Sequence, residues 1–136
     1  MADPNNPCAF CTVPHERVIA VNHLAFAIND GFPATKHHAL VMPKRHVSDY
    51  FDLTAEEVVA CHDIIKVVRG RILAEDPTVK AFNVGVNAGA IAGQTVWHCH
   101  FHVIPRREGD VPDPRGGVRH VIPRKGSYGV KAQAGN

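Results

Sequence analysis

An α+β fold, a mainly antiparallel sheet carrying one long helix, is predicted by three features of this sequence. Short apolar runs bounded by turn residues follow one another as in hairpins. One long stretch repeats its apolar residues at helical spacing. The alternation of strand and helix that builds a parallel sheet is missing. In chain order, Pro4, Pro7 and Pro14 bracket an irregular N-terminal arm that carries Cys8 and Cys11. Residues 18–21 and 24–28, split by Asn22-His23, predict a β-hairpin, and Asn29-Asp30-Gly31-Phe32-Pro33 is turn chemistry. Residues 38–42 form a third strand, closed by Pro43. Thr54 and Glu57 then fit a capping box, in which hydroxyl and carboxylate satisfy free backbone N–H groups at a helix start. Behind them Val58, Cys61, Ile65, Val68 and Ile72 recur every three or four residues, the spacing of an amphipathic helix that should end near Asp76, before Pro77. Residues 82–86 read as a fourth strand, 87–95 as a loop of small residues, and 98–103 as a fifth strand. From Glu108 onward the chain is rich in Gly, Pro and Arg, with one apolar run at 118–122.

The 136 residues make one domain, large enough to bury a core. Apolar residues at 45% and charged residues at 21% are ordinary for a folded protein. A formal net charge of +2 gives no reason to expect a nucleic-acid partner. No apolar run approaches the roughly 18 residues of a membrane-spanning helix. The first residues lack the basic and apolar regions of a secretory signal, so a cytoplasmic, reducing setting without disulfides is expected.

The run His98-Cys99-His100-Phe101-His102 carries the chemistry. On a strand, alternate side chains share a face about 6.6 Å apart. His98, His100 and His102 then line one exposed face, with Cys99, Phe101 and Val103 in the core. Three readings compete. One histidine attacks phosphorus, since neutral imidazole is nucleophilic and leaves readily from a phosphorylated intermediate. Alternatively the three bind a metal, although nothing acidic follows in sequence until Glu108. Or they are surface histidines without a task.

The stretch from Gly93-Gln94-Thr95 through Arg106 resembles the signature of the histidine triad (HIT) family, His-φ-His-φ-His-φ-φ with φ apolar. Phe26-Ala27-Ile28-Asn29-Asp30, Pro33 and His38-Ala39-Leu40-Val41-Met42-Pro43-Lys44-Arg45-His46 resemble the family's first block, and the likeness spans residues 8–110. It implies a HIT-like fold, a five-stranded antiparallel sheet paired into a ten-stranded homodimer. It implies a nucleotide hydrolase or transferase acting at the α-phosphate through a nucleotidyl-histidine intermediate. His100 would be the nucleophile, its other ring nitrogen donating to a carbonyl of the same segment. His102 would lie near the phosphate and His38 would orient the third triad histidine. Gln94, Thr95 and Asn87 would contact the phosphate and Asp30 the ribose hydroxyls; Phe26, Ile28 and Leu40 read equally well as walls of a base pocket or as core packing. Residues 105–110 are similar to the dinucleoside polyphosphate hydrolase branch, with nucleoside phosphoramidates the second substrate class. His37 stands where most relatives have Gly.

Cys8-Ala9-Phe10-Cys11 by itself fits a zinc half-site, a redox pair or coincidence. By resemblance, Cys8, Cys11, His46 and His98 would form a structural zinc site tying the arm to the sheet; no organic cofactor is expected. Gly89 and Gly93 would let backbone N–H groups approach an anion, with a flexible turn an equally good reading of the loop. Lys44, Arg45, Arg106 and Arg107 are candidates for holding a polyphosphate, with solvated surface as the plainer assignment. Cys61 and Cys99 read as buried small hydrophobes. The expected division is a HIT domain at 1–110 and a tail at 111–136 that packs on the domain or on the dimer partner. Two other functions stay open: a nucleotide-binding regulatory module with negligible turnover, and a metal-dependent hydrolase with the triad as ligands.

Overall fold

The computed structural model describes residues 8–126; the first residues of the expected arm and the last ten of the tail lie outside them. Five strands, β1 (Val18–Val21), β2 (Ala25–Asn29), β3 (Ala39–Pro43), β4 (Ala81–Val86) and β5 (Phe101–Arg106), form one sheet in the order β1-β2-β3-β5-β4, and every pair is antiparallel. One long helix, α1 (Ala55–Glu75), covers one face.

Local chemistry sets these elements. The Asn22 side-chain oxygen accepts from the N–H groups of Leu24 and Ala25, which turns β1 into β2 and leaves Leu24 outside the strand. Its amide donates to the carbonyl of Ala60 and ties that turn to the helix. The capping box is complete, with the Thr54 hydroxyl accepting from Glu57 N–H and the Glu57 carboxylate from Thr54 N–H. Asp76 closes the helix, and Pro77 follows. The buried stripe is Ala60, Cys61, Ile64, Val68 and Ile72, so Ile64 takes the central place expected of Ile65, which packs at the edge. Both spacings suit a helix; the crossing over the sheet selects between them.

The helix face of the sheet is built from small residues, Ala25, Ala27, Ala39, Val41 and Val103, which lets α1 approach closely. The opposite face carries larger ones. Phe26, Ile28, Leu40 and Met42 cluster there with Val13, and Phe10 of the arm packs on them. His102 shares this face, because it pairs with Leu40 across β3 and β5. The triad thus borders an apolar patch covered by the N-terminal arm.

Two expectations change. β5 begins at Phe101, so His98 and His100 stand in an extended segment just before the strand. That segment is anchored by Cys99 N–H donating to the carbonyl of Val47. The histidine face is also not exposed: His98 is 0% and His100 9% accessible. The apolar run 118–122 packs beside β4 in a 3-10 turn, Gly117–Val121.

Candidate active site

Hydrogen bonds fix which nitrogen of each histidine carries a proton. The N–H of Ala34 donates to Nδ1 of His38 at 2.9 Å, so that nitrogen is an acceptor. Burial lowers the pKa of His38, against the raising effect of Asp30, and the neutral ring therefore holds its proton on Nε2. This N–H faces His102 Nδ1 at 2.9 Å. Burial, then repulsion from His100 and His38, pushes the pKa of His102 down to about 4. A neutral His102 accepting at Nδ1 carries its proton on Nε2. The relay runs from Ala34 through His38 to His102 and ends in a neutral N–H donor.

His100 is set by a second bond. Its Nδ1 lies 2.8 Å from the carbonyl of His98, which only accepts, so Nδ1 carries the donated hydrogen and any lone pair of the ring lies on Nε2. The rings of His100 and His102 stand 5.1 Å apart. A nucleophilic nitrogen and an N–H donor are neighbours.

Beside them lies a second cluster. The donor atoms of Cys8, Cys11, His46 and His98 all fall within 4.8 Å of one another. His98 Nε2 faces the carbonyl of Pro43 at 2.8 Å and donates to it, and burial lowers its pKa, so a neutral ring turns the Nδ1 lone pair to the thiols. That Nδ1 lies 3.6 Å from Cys8 Sγ and 3.5 Å from Cys11 Sγ, with His46 Nδ1 3.2 Å from Cys11 Sγ. Tetrahedral zinc with ordinary bond lengths separates sulfur from nitrogen by about 3.6 Å. The donor set and its spacing fit zinc.

Asp30, His38 and His102 form another close group within 4.8 Å, an acid brought to the triad from a distant part of the chain. His38 argues against a metal there. Its Nδ1 is occupied by Ala34 N–H, so coordination through Nε2 would require an imidazolate or a broken bond.

Other expected residues are placed differently. Asn87 lines a cleft of about 770 Å³ with His38, His102, Asn83, Val118 and Val121, between the sheet and residues 110–121. Thr95 is exposed. Gln94, 4% accessible, is fully committed: its oxygen accepts from Gly89 N–H and its amide donates to the carbonyls of Ser48 and Val96. It braces the loop and has no hydrogen left for a phosphate. Gly89 and Gly93 are required by their φ angles of 100° and 99°, and their N–H groups bond within the loop. Phe26, 2% accessible, lies beneath the arm in the core. Asp30 accepts from Phe32 N–H through one oxygen, while the other lies 3.4 Å from His38 Nε2.

The three arginines considered for a polyphosphate are committed to carboxylates of the chain itself. Arg45 pairs with Glu57 through two bonds of 2.7 and 2.9 Å, Arg106 with Asp110 through 2.7 and 2.9 Å, and Arg107 with Asp76 at 2.9 Å. His37 adopts φ 76°, the left-handed conformation a glycine would take freely, with its ring 3.6 Å from Asp76. Sequence reading missed two participants. Phe10 stands against His100 with centroids 5.0 Å apart, though only its flanking cysteines drew notice. Ala34 acts through its backbone, which leaves no mark in a sequence.

The sequence profile of the HIT domain matches residues 12–109. The chain belongs to the histidine triad family. It is 37% identical over 103 residues to an adenosine 5′-monophosphoramidase of Schizosaccharomyces pombe, covering 73% of this chain and 74% of that one. Among solved structures, a HIT family protein from Bacillus anthracis superposes with TM-score 0.70 at 29% identity, over 95% of this chain and 84% of that one. A zinc-bound histidine triad family protein from Mycobacterium smegmatis gives TM-score 0.63 at 34% identity, over 79% and 84%. The five-stranded antiparallel sheet with one helix is thus the HIT fold. Among the described residues, no helix is long and apolar enough to cross a membrane.

Proposed function

We propose that this HIT protein is a nucleotide hydrolase or nucleotidyltransferase in which His100 forms a covalent intermediate. The observation that carries the reading is the tautomer of His100, with Nδ1–H held by the His98 carbonyl. Nε2 attacks the α-phosphorus, forming a P–N bond while the bond to the leaving oxygen or nitrogen breaks with its electron pair and the leaving group takes up a proton from water. His102 donates its Nε2–H to a phosphate oxygen, and His38 holds that tautomer. Water, or another acceptor, then cleaves the P–N bond and releases the nucleoside monophosphate.

In this reading the nucleoside lies beside the apolar patch with Asp30 at the ribose, the leaving group points toward the cleft lined by Asn87, and the exposed Thr95 contacts the phosphate from outside that cleft. The substrates are nucleoside phosphoramidates and dinucleoside polyphosphates. Pairing of Arg106 and Arg107 with Asp110 and Asp76 weakens the case for ranking polyphosphates first. The likeness to a phosphoramidase supports the other class. Zinc held by Cys8, Cys11, His46 and His98 would pin the arm to the sheet and take no part in the reaction. A homodimer joined through β4 suits the place of that strand at the sheet edge, where Val84 is 44% accessible. A cytoplasmic, reducing location suits the thiol ligands that the zinc site requires.

The test is single-turnover incubation with adenosine 5′-monophosphoramidate and, separately, a dinucleoside polyphosphate, followed by intact-protein mass spectrometry. Wild type is expected to show one transient nucleoside monophosphate adduct, absent from His100→Gly. Tight nucleotide binding without adduct or product would instead establish a regulatory binding module. Turnover abolished by chelator, with His100→Gly still active on added metal, would favour the metal-dependent mechanism.

A further inference from the structure

Phe10 has no part in the chemistry above, yet it stands where the two clusters meet. It sits between Cys8 and Cys11 in a turn closed by Cys11 N–H and the Thr12 hydroxyl, both donating to the carbonyl of Cys8 at 3.2 Å. Its ring meets His100 at 5.0 Å and 79°, and His98 at 6.1 Å and 77°, both edge-to-face. Behind it lie Val13, Phe26, Ile28, Leu40 and Met42, which leave it little room to retreat.

His98 makes a second link. Its ring Nδ1 faces the thiols, while its backbone carbonyl accepts the Nδ1–H of His100. A histidine ring turns about a broad, roughly two-fold torsion. The carbonyl decides which nitrogen points inward, and a ring packed edge-to-face decides the plane. His100 needs both for Nε2 to stay aimed at a phosphorus atom.

We propose that Phe10 is a positioning residue for His100: with the Cys8–Cys11 turn pinned by a metal ion, Phe10 holds the His100 ring in the plane that its bond to the His98 carbonyl requires. This rests on His100 as the nucleophile. Metal loss then slows nucleotidyl transfer although the metal touches no substrate.

The experiment uses the full-length, zinc-loaded protein and the variants Phe10→Leu, which keeps apolar bulk without a ring, and Phe10→Tyr, which keeps the ring. An edge-to-face contact shifts an orientation equilibrium by roughly twofold to tenfold. Phe10→Leu is therefore expected to lower kcat about threefold to tenfold, with KM within about twofold and zinc content unchanged, and Phe10→Tyr to restore kcat. A readout independent of turnover is the ¹⁵N shifts of the His100 ring. Wild type should show a single tautomer protonated at Nδ1, moving toward the average of both tautomers in Phe10→Leu and in chelated wild type. Unchanged ring shifts in both samples, or a raised KM at constant kcat, overturn the proposal. Should Phe10→Leu not fold, Phe10→Met, which also keeps apolar bulk without a ring, takes its place with the same expected and overturning results. Absence of an adduct in wild type would refute the nucleophile itself, while the ring shifts still report on Phe10.

Discussion

Acid should destabilise this protein through His102, by an amount the structure supplies. The ring is partly buried, and its pKa is pushed from an ordinary 6.5 to about 4 by burial first, then by His100 and His38, with Asp30 opposing. The folded state therefore takes up this proton only near the lower value, the unfolded chain already near the upper one. Between them the unfolded chain binds a proton that the folded state refuses. Stability is full above the upper value and is lost as pH falls toward the lower. At about 1.4 kcal/mol per pH unit the total is about 3 kcal/mol, roughly 10 °C in Tm for a domain of this size. The perturbation is His102→Gln, whose side-chain oxygen still accepts from His38 but which cannot titrate. Urea unfolding of both proteins between about pH 7 and about pH 4, each compared with itself at neutrality, gives the difference curve. Protonation of the metal cluster and of His38 is common to both and largely cancels. Wild type should lose about 3 kcal/mol more than the variant over this range. Parallel curves would refute a neutral, desolvated His102 and with it the N–H donor assigned to the phosphate.

His38→Ala should lower kcat by about tenfold to a hundredfold by freeing the tautomer of His102, measured with adenosine 5′-monophosphoramidate. Glu57→Gln should cost about 2 kcal/mol in urea unfolding, because the Arg45 pair and the Thr54 N–H bond anchor the helix start. Those contacts hold the Glu57 carboxyl at about 2 against an ordinary 4.5, so the variant should also lose the part of the acid transition that runs downward between those values. Thr54→Ala, which removes the other half of the capping box, should cost about 1 kcal/mol. Cys11→Ser should reduce bound zinc from about one equivalent to well under one in metal analysis, with a lower Tm.

The first hairpin, the helix and its cap were legible because each is local. Thr54 and Glu57 stand three residues apart, the hairpin turns on Asn22, and the helix stops at Pro77. Proximity of the triad to His38 was legible through the family signature. The sequence hid what depends on distant partners. Ile64 replaced Ile65 because the sheet fixes the roll of the helix. Arg106 and Arg107 looked available until Asp110 and Asp76 were found beneath them. Gln94 looked like a ligand donor until its amide was found bonded to Ser48 and Val96. His37 in a left-handed conformation is read most directly: an expected glycine is missing, and the backbone keeps the glycine geometry.

The pairing of Arg45, Arg106, Arg107 and Arg115 with carboxylates of the same chain has a kinetic consequence. A nucleotide arriving at the triad meets imidazole and peptide N–H groups, with those four guanidinium charges already compensated. Long-range attraction, which can raise capture rates by about 10- to 1,000-fold and fades within about 10 Å at ordinary salt, gains little from these four side chains. Association should be limited by orientation, and kcat/KM should change little across a range of ionic strength that would slow an enzyme steering its anionic substrate by charge.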